Sequence, residues 1–329
     1  MDQALESFCT QNGIQRPFEL TPIRSGRNSA VFRVSSKKNH WILKHYFQHD
    51  ADKRNRLLVE CQFLTFLNGV GCQFVATSVG YDAENQFALH SFLRGEKPSV
   101  IRDSYIDQAA QFILFLHGLK NHRKAKIIGN AVDACFSIEQ HLNLVDKRFS
   151  QFDRIVGTDS SKLTEFLYWI KNILHPCWLK IQSDISINQK DFSKQSFTLS
   201  PSDFGFHNTL VHNGRLSFID FEYAGWDSIA KLACDFICQP ELPISRSQAA
   251  KFVAKLAQET NDSALTAQVN MLLPIHRIKW CCILLNVFRD IDRQRRVHSG
   301  VDFPDLLGKQ LNEAKSYFEA HLQYLYKEK

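Results

Sequence analysis

The spacing of apolar and polar positions changes character once along the chain, near residue 95. Before that point the apolar residues fall in short β-prone runs, at 18–24, 30–34, 41–46 and 87–95. The small polar segment Ser25-Gly26-Arg27-Asn28-Ser29 separates the first two runs and predicts a hairpin turn. One helical pattern interrupts the strands at 52–68, where Leu57, Cys61, Leu64 and Leu67 recur with the helical period. Gly95, Pro98 and Ser99 then break the order. Beyond them helical spacing dominates, over 104–120, 137–150, 161–189, 246–260, 263–293 and 303–327. The pattern predicts an α+β chain in two lobes: residues 1–95 with an antiparallel sheet and one helix, and a larger, mainly helical part over 96–329. With 329 residues, 44% of them hydrophobic, the chain is long enough to bury a core in each.

Two charged residues lie on apolar faces of these elements. Lys44 shares a strand face with Ile42 and Tyr46, and Glu60 lies on the apolar stripe of the 52–68 helix. A buried lysine and a buried carboxylate each need a partner, and pairing Lys44 with Glu60 supplies both.

The densest polar signal runs from Ser202 to Gly225, S-D-F-G-F-H-N-T-L-V-H-N-G-R-L-S-F-I-D-F-E-Y-A-G. Asn213-Gly214 between the β-prone runs 209–211 and 216–219 predicts a hairpin whose open end brings Asn208 and Asp220 together. An aspartate able to take a hydroxyl proton, Asp203, and two hard oxygen ligands for magnesium, Asn208 and Asp220, are what phosphoryl transfer requires. A small-residue hairpin such as 25–29 can lay backbone N–H groups over phosphates, although a plain surface turn has the same composition.

This stretch resembles the catalytic loop and metal-binding strand of the aminoglycoside phosphotransferase and choline kinase families, relatives of protein kinases. I-D-F-E-Y-A-G is especially similar to the choline/ethanolamine kinase form. The resemblance implies a two-lobed protein-kinase-like fold and an ATP- and magnesium-dependent transfer of the γ-phosphoryl group to a hydroxyl of a small-molecule acceptor. It implies that Lys44, held by Glu60, meets the α- and β-phosphates, that Ser25, Gly26, Arg27 and Asn28 cover the nucleotide, and that the backbone of Ser91 and Leu93 contacts adenine. It departs where many family members carry histidines flanking the catalytic aspartate, here Pro201 and Gly205. A choline- or ethanolamine-type kinase is the alternative within the class, and a nucleotide-binding pseudokinase the alternative outside it.

Composition narrows the partners. The net charge of +6 disfavours polycationic acceptors, and no basic stripe with interleaved aromatics points to nucleic acid. The arginine run Arg289, Arg293, Arg295, Arg296 alternates with Asp290 and Asp292 and reads as a solvated mixed-charge helix face. No apolar stretch is expected to approach the roughly 20 residues that span a bilayer, and the N-terminus lacks a basic start followed by an apolar core, so a cytoplasmic protein without a membrane partner is expected. Nine cysteines, including Cys234, Cys238, Cys281 and Cys282, read as reduced packing residues, and His117 as a hydrogen-bonded core histidine. For the acceptor pocket, Glu222, Tyr223, Trp226 and Trp280 are the candidates, the tryptophans being equally suited to packing. Oligomeric state and the acceptor's identity are not written in the sequence.

Overall fold

The computed structural model describes residues 3–23, 28–37, 39–153, 155, 161–187, 196–300 and 305–327. Helix α1 (Gln3–Gln11) precedes strands β1 (Glu19–Ile23), β2 (Ser29–Ser35) and β3 (His40–Tyr46); helix α2 (Arg56–Gly69) and strands β4 (Ser78–Asp82) and β5 (Phe87–Ser91) follow. The five strands form one antiparallel sheet in the order β1-β2-β3-β5-β4.

Alternation along β3 divides the sheet between two cores. Leu43 packs with Phe32, Val34, Phe87 and Leu89 against Leu5, Phe8 and Cys9 of α1. Tyr46, on the opposite face with Lys44, packs with Ala88 against Leu57 and Cys61 of α2. The sheet therefore carries a helix on each face, where the sequence pattern predicted one.

The helical part begins with α3 (Asp103–Gly118), α4 (Ile138–Phe152), α5 (Ser161–Trp169) and α6 (His175–Ile187). Three two-residue-period segments follow within 197–218, namely β6 (Phe197–Ser200), β7 (Thr209–His212) and β8 (Arg215–Phe218), and β9 (Gly225–Ser228) pairs back onto β6. Helices α7 (Ile229–Cys238), α8 (Arg246–Thr260), α9 (Leu265–Leu284), α10 (Asp290–His298), α11 (Leu306–His321) and α12 (Gln323–Lys327) complete the chain. The segment linking the sheet to α3 lies against β7: Glu96 and Val211 exchange both backbone hydrogen bonds, at 3.2 and 2.8 Å. Gly95 has φ 134°, and a Cβ there would stand 2.7 Å from the Val211 carbonyl oxygen, so both conformation and contact require glycine.

One expectation is corrected. Leu265–Phe288 is a 24-residue helical run with mean hydropathy 1.4, long and apolar enough to cross a bilayer by length and composition. It is the central helix of the core, packed by α4, α7, α8 and α11, and it carries buried His276 and Lys279. All nine cysteines are buried free thiols, and buried His117 bonds Lys120 at 3.0 Å.

Candidate active site

An aromatic cluster fixes the backbone of the polar stretch. Phe112 of α3 stacks on Phe218 at 4.2 Å, Phe204 lies 5.6 Å from Phe218 and 5.0 Å from Phe236, and Phe221 stacks on Phe63 of α2 at 5.4 Å. Asp203 and Asp220 each precede one of these anchored phenylalanines, so burial of the rings sets where the carboxylates stand.

Lys44 Nζ sits 2.7 Å from Glu60 Oε2 and 2.7 Å from Asp220 Oδ1. Burial alone would depress the lysine's pKa; Asp220 and Glu60 outweigh it and hold the ammonium well above the usual range. Burial likewise opposes ionisation of Glu60, and Lys44 overrides it to keep the carboxyl below its usual range. Glu60 accepts two further bonds, from the Tyr46 hydroxyl at 2.6 Å and the Phe221 N–H at 3.2 Å. One glutamate thereby ties α2, β3 and the segment after Asp220 together.

The loop ahead of β7 is held by its own backbone. Asp203 N–H donates to the Pro201 carbonyl at 3.0 Å, and the Asn208 side-chain amide donates to the Asp203 carbonyl at 3.0 Å. Ile219 N–H donates to the Asn208 carbonyl at 3.0 Å, joining the loop to the residue before Asp220. Ser202 and Asp220 have φ 67° and 68°, left-handed conformations that cost of order 1–3 kcal/mol for such residues and recur at functional sites. The predicted hairpin forms with His212 opposite Arg215, Asn213 and Gly214 at φ 49° and 75°, and Asn208 and Asp220 beyond its open end.

Gly205 has a spatial counterpart in His207. A Cβ at 205 would lie 2.7 Å from His207 Nδ1, so glycine makes room for that ring, whose Nε2 stands 3.3 Å from Asp203 Oδ1. A histidine does adjoin the aspartate, reached from the fourth residue after it.

Of the residues expected to cover the nucleotide, Ser25, Gly26 and Arg27 lie outside the described residues. Asn28 donates to Glu222 Oε1 at 2.6 Å and Ser29 to Glu222 Oε2 at 3.3 Å, which turns this glutamate toward the sheet and buries it. Burial and the neighbouring Asp220 push the Glu222 carboxyl up to about 7, against Lys44 and Arg56. Glu60, Asp220 and Glu222 each place an oxygen within 4.8 Å of the others. Ser91 ends β5 with its N–H given to the Thr77 carbonyl at 2.9 Å, and Leu93 is half-buried in the linking segment.

Asp203, Asn208, Asp220, Tyr223 and Trp280 line one cleft between the sheet and the helical part. Trp226 is not among the lining residues; it stands on β9 with its indole N–H bonded to the Ala125 carbonyl at 3.2 Å. The arginine run is corrected as well. Arg293 is exposed beside Asp290, but Arg295 and Arg296 line the cleft, with Arg289 and Arg295 both on buried Asp292. Sequence reasoning also missed Asp133, Arg148, Lys231 and Asp235 in the lining. Lys231 is buried between Asp227 and Asp235 at 2.7 and 3.0 Å, and Asp235 also meets Lys279 and His276. The available signal was two charges four residues apart inside the apolar run 229–238.

The sequence matches the family described as "Phosphotransferase enzyme family" over residues 19–258. Among solved structures, the chain is similar to an ethanolamine kinase of Plasmodium vivax, with 14% identity, TM-score 0.65, and 99% of this chain and 91% of that one covered. A spectinomycin phosphotransferase in complex with ADP and spectinomycin gives 10% identity and TM-score 0.63 over 96% and 98% of the two chains. The choline kinase LicA of Streptococcus pneumoniae gives 12% identity and TM-score 0.61 over 97% and 98%. At these identities the likeness is one of fold, protein-kinase-like with an N-terminal antiparallel sheet and a larger helical part. No curated protein matches the sequence.

Proposed function

Since the chain belongs to the phosphotransferase enzyme family, we propose that it transfers the γ-phosphoryl group of ATP to a hydroxyl of a small-molecule acceptor in the cytoplasm. The observation that carries this reading is the convergence on one cleft of Asp203, Asn208 and an Asp220 that is bonded to the Lys44–Glu60 pair. Residues 1–95 and 96–329 then act as a nucleotide-binding and a catalytic lobe, with Ser91 and Leu93 in the hinge.

Asp203 is the base. Its carboxylate faces the cleft beside His207, and it would accept the acceptor's proton as the new O–P bond forms and the bond to ADP breaks. His207 and the Asn208 amide hold that loop in place. Lys44 brings a fixed positive charge to the non-transferred phosphates, and Glu60 keeps it pointed there. Asn208 and Asp220 fit magnesium. The Asn208 amide nitrogen is engaged with the Asp203 carbonyl, which turns the amide oxygen to the other side, and Asp220 offers a carboxylate oxygen not bonded to Lys44. Magnesium, when bound, neutralises phosphate charge and orients the transferred group. The residues themselves act by position and charge.

Asp203→Asn keeps the shape and removes the proton acceptor. Phosphoryl transfer should fall by about 10² to 10⁴, with the affinity for magnesium–ATP little changed. Measured turnover near the wild-type rate would defeat the assignment, and ATP binding without any transfer in wild type would leave a nucleotide-binding module instead.

A further inference from the structure

The wall of the cleft on the helical side carries a charge pattern that bears on the acceptor. Val132 donates its N–H to the Tyr223 carbonyl at 3.0 Å and accepts the Ser202 hydroxyl at 3.1 Å. The next residue, Asp133, therefore adjoins the loop of Asp203, and it pairs with Arg148 of α4. Lys231 and Lys279 reach the same wall from α7 and α9, and Arg295 from α10.

Each carboxylate of this wall already has its cations. Asp133 holds Arg148; Asp235 holds Lys231 and Lys279; Asp292 holds Arg295 and Arg289. An ammonium group entering here would find no carboxylate to itself. The aromatic faces are engaged too. The guanidinium carbons of Arg54 and Arg56 each lie 5.7 Å from the Tyr223 ring centre, and Lys279 Nζ lies 6.0 Å from that of Trp280. With Glu222 turned to Asn28 and Ser29, the described residues of this wall offer neither an aromatic cage nor a carboxylate without a cation, the features that hold an amine.

Unpaired donors outnumber unpaired acceptors on this wall, where Asp292 Oδ2, 3.2 Å from Arg289 Nη1, is the one carboxylate oxygen buried without a hydrogen bond among the described residues. Arg148 Nε, Arg295 Nε and the indole Nε1 of Trp280 are all buried without a hydrogen-bond partner among the described residues, and Trp280 is only 8% exposed. A buried N–H left unpaired costs about 1–3 kcal/mol, and oxygens of a ligand on this wall would remove that cost. Guanidinium forks match the planar oxygens of an oxyanion.

Resting on the phosphotransferase reading, we infer that the acceptor carries an oxyanion, a carboxylate or a phosphate, beside the hydroxyl that is phosphorylated, and that Arg148, Arg295 and Trp280 receive it. The same wall excludes cationic acceptors such as choline.

The test is a set of alcohols differing in charge at two sizes: gluconate, sorbitol and glucosamine, and the smaller glycerol 3-phosphate, glycerol and choline. Each is titrated calorimetrically into the full-length protein, with and without saturating magnesium–ADP. At least one anion should bind about tenfold more tightly than its neutral counterpart, and both cations more weakly. Gluconate and glycerol 3-phosphate separate the two oxyanions. Trp280→Phe keeps an aromatic ring but removes the pyrrole part of the indole with its N–H, so it should weaken the preferred anion about fivefold relative to the neutral polyol. Arg148→Met should abolish the preference, and Arg148→Lys should restore part of it. Equal binding of the three charge classes, tighter binding of glucosamine or choline, or an unaltered preference in Arg148→Met would overturn the inference. Failure to bind magnesium–ADP would strike the phosphotransferase reading instead, and the titrations without nucleotide still report the charge preference.

Discussion

Among single residues, the exchange between Gly205 and His207 most changes how the site is understood. The sequence shows a missing histidine at 205; the structure shows an imidazole brought to Asp203 from 207 across the space that a glycine leaves. His207→Ala should lower kcat about tenfold by releasing Asp203, with the KM for ATP unchanged, whereas a loss of packing alone would lower the melting temperature and leave kcat per folded molecule intact. Gly205→Ala should act in the same direction, since its methyl would meet His207 Nδ1 at 2.7 Å and displace the ring. Lys44 and Glu60 were readable from sequence because a charge on an apolar stripe demands a partner. The left-handed Ser202 and Asp220 were not, because neither residue type announces φ > 0 in the way glycine does.

For whole elements, burial did not decide what was legible: β5, buried along most of its length, was read from its apolar run, whereas the partly buried α1 and β4 were missed. Helix α2, whose apolar positions recur with the helical period, and the β7–β8 hairpin, with its Asn-Gly turn, were legible; α7, nine of whose ten residues are buried, was missed although Lys231 and Asp235 stand one turn apart on one face of it. That helix also hides Lys231 and Asp235, and its ion pairs with Asp227 and Lys279 tie it to β9 and α9. Asp235→Asn leaves buried cations short of charge, and a destabilisation of about 3–5 kcal/mol is expected in urea unfolding. Strand β5 carries a second buried titratable group. His90 is 3% exposed, neither ring nitrogen has a hydrogen-bond partner among the described residues, and burial pushes its pKa from 6.5 down to about 4. The unfolded chain therefore binds the proton first, and stability falls as pH drops from 6.5 through 4, by up to about 3 kcal/mol. His90→Met should flatten the stability profile in that window relative to wild type; identical profiles would show that the ring is charged in the fold.

At the level of the whole molecule, the sheet and the helical part meet through polar contacts that run across the cleft: Lys44 to Asp220, Asn28 to Glu222, and His298 Nε2–H to the His45 carbonyl at 2.9 Å. The first of these lies where magnesium and nucleotide would bind. Asp220→Ala should remove the magnesium dependence of ATP binding, measured by titrating the metal at fixed nucleotide, while Lys44→Ala should weaken ATP with that dependence retained. The third contact has a different consequence. His298 ends α10, the helix that presents Arg295 to the cleft, and the carbonyl it holds belongs to the residue next to Lys44. Whatever draws α10 inward on one ligand's arrival also loads the strand that meets the other ligand. Acceptor and nucleotide should accordingly strengthen one another by the same factor in either order of addition, at least about fivefold, and His298→Ala should bring that factor toward unity while each ligand, added alone, still binds as before.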